Sequence, residues 1–329
     1  MSEPRWSQVG ATLWIASKTT IMTINADERY ALGTLEDRIR TLLPEEYQDS
    51  YEELQPVSMG SAGLKYDSDG QVAWNDMWAT FCDLAMAGGP PHKGTLLEPA
   101  SQAEIDAQPD RYTAVVAEIC RGIEMAADLP AEPSPSAGWI AVPCYSEGMA
   151  GWLLRAIVME NVAAWCDSNI LHLPAGPGYR LEKEIKNVVT VIAKTSHYWL
   201  GHVPRVQQRA IANLFNEMAG ESPLVEPARV SEVSNDSLRD ASARMTVRVQ
   251  DDVGLRHSNH RYANWLGLEC PTVRAAIWMM RGLVASNILS RREATALFVP
   301  INPVRDPNGE IVAKSLGRLH GFAISRRLF

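Results

Sequence analysis

The chain has 329 residues, 46% hydrophobic and 21% charged, with a formal net charge of −8. That length suffices for one large or two ordinary domains with a sizeable core, and the acidic balance argues against a nucleic-acid binder, which carries a basic excess. The longest apolar run, residues 149–159, is interrupted by Arg155 and is too short to span a bilayer, so no membrane segment is expected.

Five cysteines, Cys82, Cys120, Cys144, Cys166 and Cys270, are scattered without a Cys-x-x-Cys pair. The first residues lack the basic-then-apolar pattern of a signal peptide. Both observations fit reduced thiols in a cytoplasmic protein.

In chain order, residues 12–24 read as one or two strands and residues 34–43 as a helix. Residues 72–87 place Trp74, Met77, Trp78, Phe81, Leu84 and Ala85 at helical spacing. Residues 109–129 form a second helix, with Pro109 suited to its first turn. A Pro-, Ser- and Gly-rich loop, 130–138, leads to a short apolar strand, 139–143. Ser146 then offers a hydroxyl as N-cap to a helix from 147 to about 165, followed by a strand at 170–173. Helices at 206–218 and 238–249, a strand at 265–268, a helix at 273–289 capped by Thr272 and a strand at 296–299 complete the series.

The second half echoes the first at an offset of 126 residues. Laying 139–162 over 265–288 aligns seven identical pairs without a gap: Trp139/Trp265, Cys144/Cys270, Ala150/Ala276, Trp152/Trp278, Arg155/Arg281, Val158/Val284 and Asn161/Asn287. Upstream, Met86-Ala87-Gly88 recurs as Met218-Ala219-Gly220 and Leu97-Glu98-Pro99-Ala100 as Val225-Glu226-Pro227-Ala228. A period this long points to duplication of a whole unit rather than a solenoid. The expected fold class is therefore α/β (α+β): two diverged tandem copies of an α-α-β-α-β unit, residues 66–203 and 204–329, related by pseudo-two-fold symmetry. A short N-terminal α/β segment, residues 1–65, packs on the pair. Strand, long helix and strand in succession imply a right-handed crossover with parallel pairing.

Several residues are candidates for chemistry. Arg155 and Arg281 sit at equivalent places on apolar helices, where a guanidinium needs a partner. They are either internal ion pairs, with Glu98 and Glu226 as the carboxylates, or anion-binding arginines facing a cleft between the copies. Cys144 ends a strand before a helix N-terminus, a setting that lowers a thiol pKa and suits a nucleophile, although core packing also accounts for it. The same turn, with Ser146 and its counterpart Thr272, offers backbone amides to an anion. The loop Gly88-Gly89-Pro90-Pro91-His92-Lys93-Gly94-Thr95 supplies an imidazole and a cation, and it carries four more residues than its counterpart. It is a tolerated surface loop or an active-site loop. His257-x-x-His260 invites a divalent metal, with a third ligand from Asp251, Asp252, His197 or His202. His197-Tyr198-Trp199 and His202 make a second histidine–aromatic cluster, at the hinge into the second copy.

No standard cofactor fingerprint is present. The expected function is a cytosolic enzyme acting on a small polar or anionic metabolite between the two halves. His92 or Lys93 would supply acid–base or electrostatic groups, and Arg155 or Arg281 an anion clamp. The alternative is a non-catalytic ligand-binding or assembly protein in which the duplication mimics a homodimer; homo-oligomers remain open in both readings.

Overall fold

The computed structural model describes residues 25–54, 63–76, 83–229 and 232–329. The strands expected over 12–24 and the middle of the helix expected over 72–87 lie outside those residues. Helix α1 (Ala26–Leu42) begins with a capping box, in which Asn25 and Glu28 each accept the other's backbone N–H, and it buries Leu35, Ile39 and Leu42. The described ends of 72–87 are short 3-10 turns, Trp74–Asp76 and Ala85–Ala87. Val72 is bridged to Tyr66, and the fully buried Trp74 donates its indole N–H to Glu118 at 2.8 Å. Tertiary anchoring thus overrides the helical periodicity there.

Two helices follow, α2 (Gln102–Ala107) and α3 (Pro109–Ala127), the latter ending where Asp128 turns left-handed at φ 53°. Next come β1 (Glu132–Pro133), β2 (Trp139–Pro143), α4 (Glu147–Met159), β3 (Trp165–Asp167), β4 (Ile170–Pro174) and α5 (Lys186–Gly201). The rest of the chain forms α6 (Arg205–Glu221), α7 (Asn235–Asp252), β5 (Trp265–Glu269), α8 (Val273–Val284), β6 (Arg291–Glu293), β7 (Ala296–Pro300) and α9 (Glu310–Ser325). The described residues therefore form a mixed α+β fold with nine α-helices and two small sheets, ordered β1-β2-β4-β3 and β5-β7-β6. No helix among them is long and apolar enough to cross a membrane.

Every strand pairing in these sheets is antiparallel, which overturns the expected parallel crossover. Helices α4 and α8 stop earlier than their apolar patterning suggests, and Asn161 and Asn287 follow them at φ 62° and 60°. Asparagine tolerates that left-handed conformation better than most side chains. The chain then enters β3 or β6 and reverses through Ser168 (φ 53°) or Ala294 (φ 49°) into β4 or β7. This extra strand flips the direction, so β4 returns antiparallel to β2, and β7 to β5. The three-residue strands Trp165-Cys166-Asp167 and Arg291-Arg292-Glu293 are too short and polar to announce themselves in sequence.

The second sheet repeats the geometry of the first 126 residues later. Trp139 pairs with Pro174 and Trp265 with Pro300, while Leu97 bridges Val162 and Val225 bridges Ile288. Residues 257–262 also bridge to β5, through His257 to Leu268 and Tyr262 to Trp265. Gly267 allows that approach, because a Cβ there would lie 2.8 Å from Ser258 Cβ.

Helices α4 and α8 are buried almost throughout, each covered by a late helix of its half, α5 on α4 and α9 on α8. Trp152, fully buried, ties α4 to the end of α1 by donating to the Leu42 carbonyl at 2.8 Å. Just past α4, Glu160 and Lys194 form an ion pair at 2.8 Å with neither side chain exposed. Removing one partner strands the other charge in a low-dielectric interior. Lys194→Met is expected to lower stability by about 3–5 kcal/mol, read as a shift of the urea midpoint at unchanged slope. A midpoint within error of the wild type would show that the pair carries no such burden.

Candidate functional site

The His92–Lys93 loop is anchored rather than free. Its entry, Gly88, adopts φ 101° after the 3-10 turn Ala85–Ala87. The Glu160 carboxylate then accepts the backbone N–H of Ala85 and of His92, both at 2.8 Å. Lys93 donates its N–H to the Glu160 carbonyl at 3.1 Å, and its own carbonyl accepts from the Asn161 amide at 2.8 Å. That amide also donates to the Arg292 carbonyl at 2.8 Å, and the Arg292 guanidinium donates to the Gly89 carbonyl at 3.0 Å. The histidine, the lysine and an arginine do converge, but the arginine is Arg292 on β6, and the loop lines none of the concavities described below. It is a joint between the end of α4 and β6. His92 Nε2 is buried without a hydrogen-bond partner. Burial, and then the nearby Lys194, push its pKa down to about 4.

The two equivalent arginines differ. Arg155 donates to the Gly151 carbonyl at 2.8 Å and the Asn287 side-chain oxygen at 2.7 Å, and it stacks over Phe215. Arg281 donates to the carbonyls of Met86 and Tyr51, and its Nη2 is buried without a partner. The expected ion pairs with Glu98 and Glu226 are not formed among the described residues: neutral oxygens hold both guanidinium groups. Burial lowers their pKa values to about 10 for Arg155 and about 9 for Arg281.

Cys144 is buried, its thiol facing the Val142 carbonyl at 3.7 Å, and burial pushes its pKa up to about 12. This is the opposite direction from that of an activated nucleophile. Ser146 and Thr272 act as N-caps, accepting the N–H of Met149 and Ala275, each at 3.1 Å. His257 and His260 lie in irregular chain. His260 Nδ1 pairs with Glu293 at 2.6 Å, while His257 Nε2 is buried without a partner. Asp251 and Asp252 belong to another concavity, on α7, and His197 and His202 contact each other. Among the described residues, no group of three or more His, Cys, Asp or Glu side chains is placed to hold a metal.

A concavity of about 1320 Å³ opens at the corner between α5 and α6, and of the expected site residues it includes Ser146. One wall is the start of α4, with Tyr145, Ser146 and Gly148; the facing wall is α6, with Arg205, Gln208 and Arg209. Gln208 fixes the corner by donating to the carbonyls of Trp199 and Val203 at 3.0 and 2.9 Å. His202, the C-cap of α5, lies in this corner with its Nδ1 2.9 Å from the Glu46 carboxylate. Its Nε2 lies 3.3 Å from Nε2 of His197. Burial, and then His202, hold the His197 pKa below the usual histidine value. Glu46, Arg205 and Arg209 were not singled out in sequence. The His197–His202 cluster was visible there, but its carboxylate comes from 156 residues away.

No protein-family model, curated protein or solved structure matches the chain.

Burial of His92 has a pH consequence, and His172 repeats it. His172 is stacked on Trp165 at 3.7 Å between ring centres, and burial followed by Arg229 lowers its pKa to about 4. Between roughly pH 6.5 and 4 the unfolded chain takes up protons at these positions and the folded one does not, so stability falls with pH through that window. His92→Gln is expected to flatten the fall, by up to about 3 kcal/mol at its acid end. The check is urea unfolding of both proteins at pH 7 and pH 4.5; parallel losses would contradict it.

Proposed function

We propose that this protein is an enzyme acting on a small anionic metabolite, bound at the α5–α6 corner between two halves that are diverged copies of one unit. The coinciding strand registers and left-handed asparagines at an offset of 126 residues support the duplication, as does the matching pair of bridges, offset by 126 residues at one end and 128 at the other. The corner is walled by α4 from the first half and α6 from the second, and ligand sites favour such interfaces.

The observation that carries the reading is His202, which lines the concavity and is held by Glu46 through Nδ1, with the His197 ring beside its Nε2 just outside the lining. A carboxylate at Nδ1 orients the ring, sets the tautomer and leaves Nε2 for proton transfer. Arg205 and Arg209, both exposed, supply the attraction for an anion. The amide-rich start of α4 adds to it, although Glu147 in its first turn moderates the effect. His92, Lys93, Arg155 and Cys144 take structural parts in this reading.

A non-catalytic binding protein is the competing reading, favoured by one observation. Tyr145, Leu200 and Val206 are 65%, 52% and 71% exposed around the same corner and offer apolar contacts to a partner. A thermal-shift screen of small phosphates and carboxylates, followed by turnover assays on those that bind, separates the two. His202→Gln is expected to lower turnover by about 10²–10⁴-fold at unchanged melting temperature. Arg209→Ala should weaken binding of the same compound. Ligand binding without turnover would favour the competing reading, and undiminished turnover in His202→Gln would overturn the assignment.

A further inference from the structure

We infer that His197 and His202 are a two-imidazole site for a divalent transition metal of the zinc or copper class, at the rim of the α5–α6 concavity that His202 lines. The inference rests on the concavity of the proposed function, but it puts His202 Nε2 on an ion, so that a water on the ion would replace the free imidazole as the acid–base group; metal binding itself is measured independently of any activity.

The separation of the rings carries the inference. Two imidazole nitrogens bound about 2.0–2.1 Å from a tetrahedral ion lie roughly 3.3 Å apart, with ring centres about 5.3 Å apart. The His197 and His202 Nε2 atoms are 3.3 Å apart and the ring centres 5.1 Å, with the ring planes inclined at 62°. A head-on N–H···N hydrogen bond of that length would hold the ring centres about 5.6 Å apart, because a good hydrogen bond is nearly linear. The rings are bent towards each other, as a chelated ion bends them.

The surroundings agree on a second count. A metal-bound histidine characteristically presents its other ring nitrogen to a carboxylate, which fixes the ring and raises its basicity. Glu46 stands at His202 Nδ1 at 2.9 Å. His197 lies on the last turn of α5 and His202 caps it, so one helix end sets both ligands. The pair is the protein's contribution, since no larger ligating group is present among the described residues. Water or an anionic ligand completes the coordination, with Arg205 and Arg209 on the opposite wall to receive the rest of the anion. Imidazole ligands and open positions suit zinc, copper or nickel rather than calcium or magnesium. Ligation needs neutral imidazoles, so binding weakens as pH falls.

The test uses the full chain, free of any tag, titrated with Cu²⁺ alone and then Zn²⁺ alone. Calorimetry should give one equivalent at micromolar strength, and the Cu²⁺ electron paramagnetic resonance spectrum should show coupling to two imidazole nitrogens. His197→Gln and His202→Gln should each weaken binding at least about 10-fold, and Glu46→Gln by about 10–100-fold with the two-nitrogen signature retained. His257→Gln and His260→Gln serve as controls and should bind as the wild type does. Should His202→Gln fail to fold, His197→Gln, on an exposed side chain, supplies the same comparison. Unweakened binding in a folded His197→Gln/His202→Gln protein, or no stoichiometric binding by the wild type, would overturn the inference. Metal bound without any metabolite turned over would leave the site standing and remove only the enzyme reading.

Discussion

The Glu160 carboxylate is the contact on which the arrangement of the molecule depends. It is wholly buried, pairs with Lys194 on α5, and accepts backbone N–H groups from both ends of the 85–92 segment. A buried carboxylate is tolerated only when its oxygens are occupied in this way. Here the occupants come from two separate stretches of chain, α5 and the 85–92 segment. One residue therefore sets the height of the loop, the seat of α5 and, through its neighbour Asn161, the approach of β6 from the other half.

The arginines of the two buried helices are held in unlike ways. Arg155, on α4, reaches across to Asn287 beyond the end of α8. Arg281, on α8, instead turns to the Tyr51 and Met86 carbonyls. Arg291, on β6, is fully buried, pairs with Glu293 and is boxed by Tyr262, Trp265 and Phe298. Aromatic faces give a buried guanidinium part of the stabilisation that water would otherwise supply.

The legible parts of the sequence were those with local causes. Ser146 and Thr272 cap helices because a side-chain oxygen ahead of an apolar run has few other uses, and Trp139 and Trp265 head strands of the same length and register. Apolar patterning placed the helices but overran their ends, because Asn161 and Asn287 stop them by backbone conformation, which carries no hydropathy signal. The parallel crossover failed for the same reason: two three-residue strands, invisible to periodicity, reverse the chain. Of the candidate corner, His197 and His202 were visible as a cluster, while Glu46 was not. A contact across 156 residues leaves no mark in a single sequence. The distinctive His92–Lys93 loop drew attention for its composition, yet that composition serves a joint: its backbone, more than its side chains, makes the contacts.

The segment 257–262 has a consequence for how copies of this chain can meet. An uncovered strand is a template on which another backbone can add itself. In the first sheet the outer side of β2 is taken by β1, and in the second the corresponding side of β5 is bridged by His257 and Tyr262. At the other margin β6 is fully buried beneath the loop and α4. Among the described residues, what remains is β1, two exposed residues of which Pro133 has no N–H to offer, and β3, three residues long with Arg229 lying over its tryptophan. Neither sheet extends readily into a neighbour, so association between chains falls to helical surfaces, where side chains rather than hydrogen-bonded backbones choose the partner.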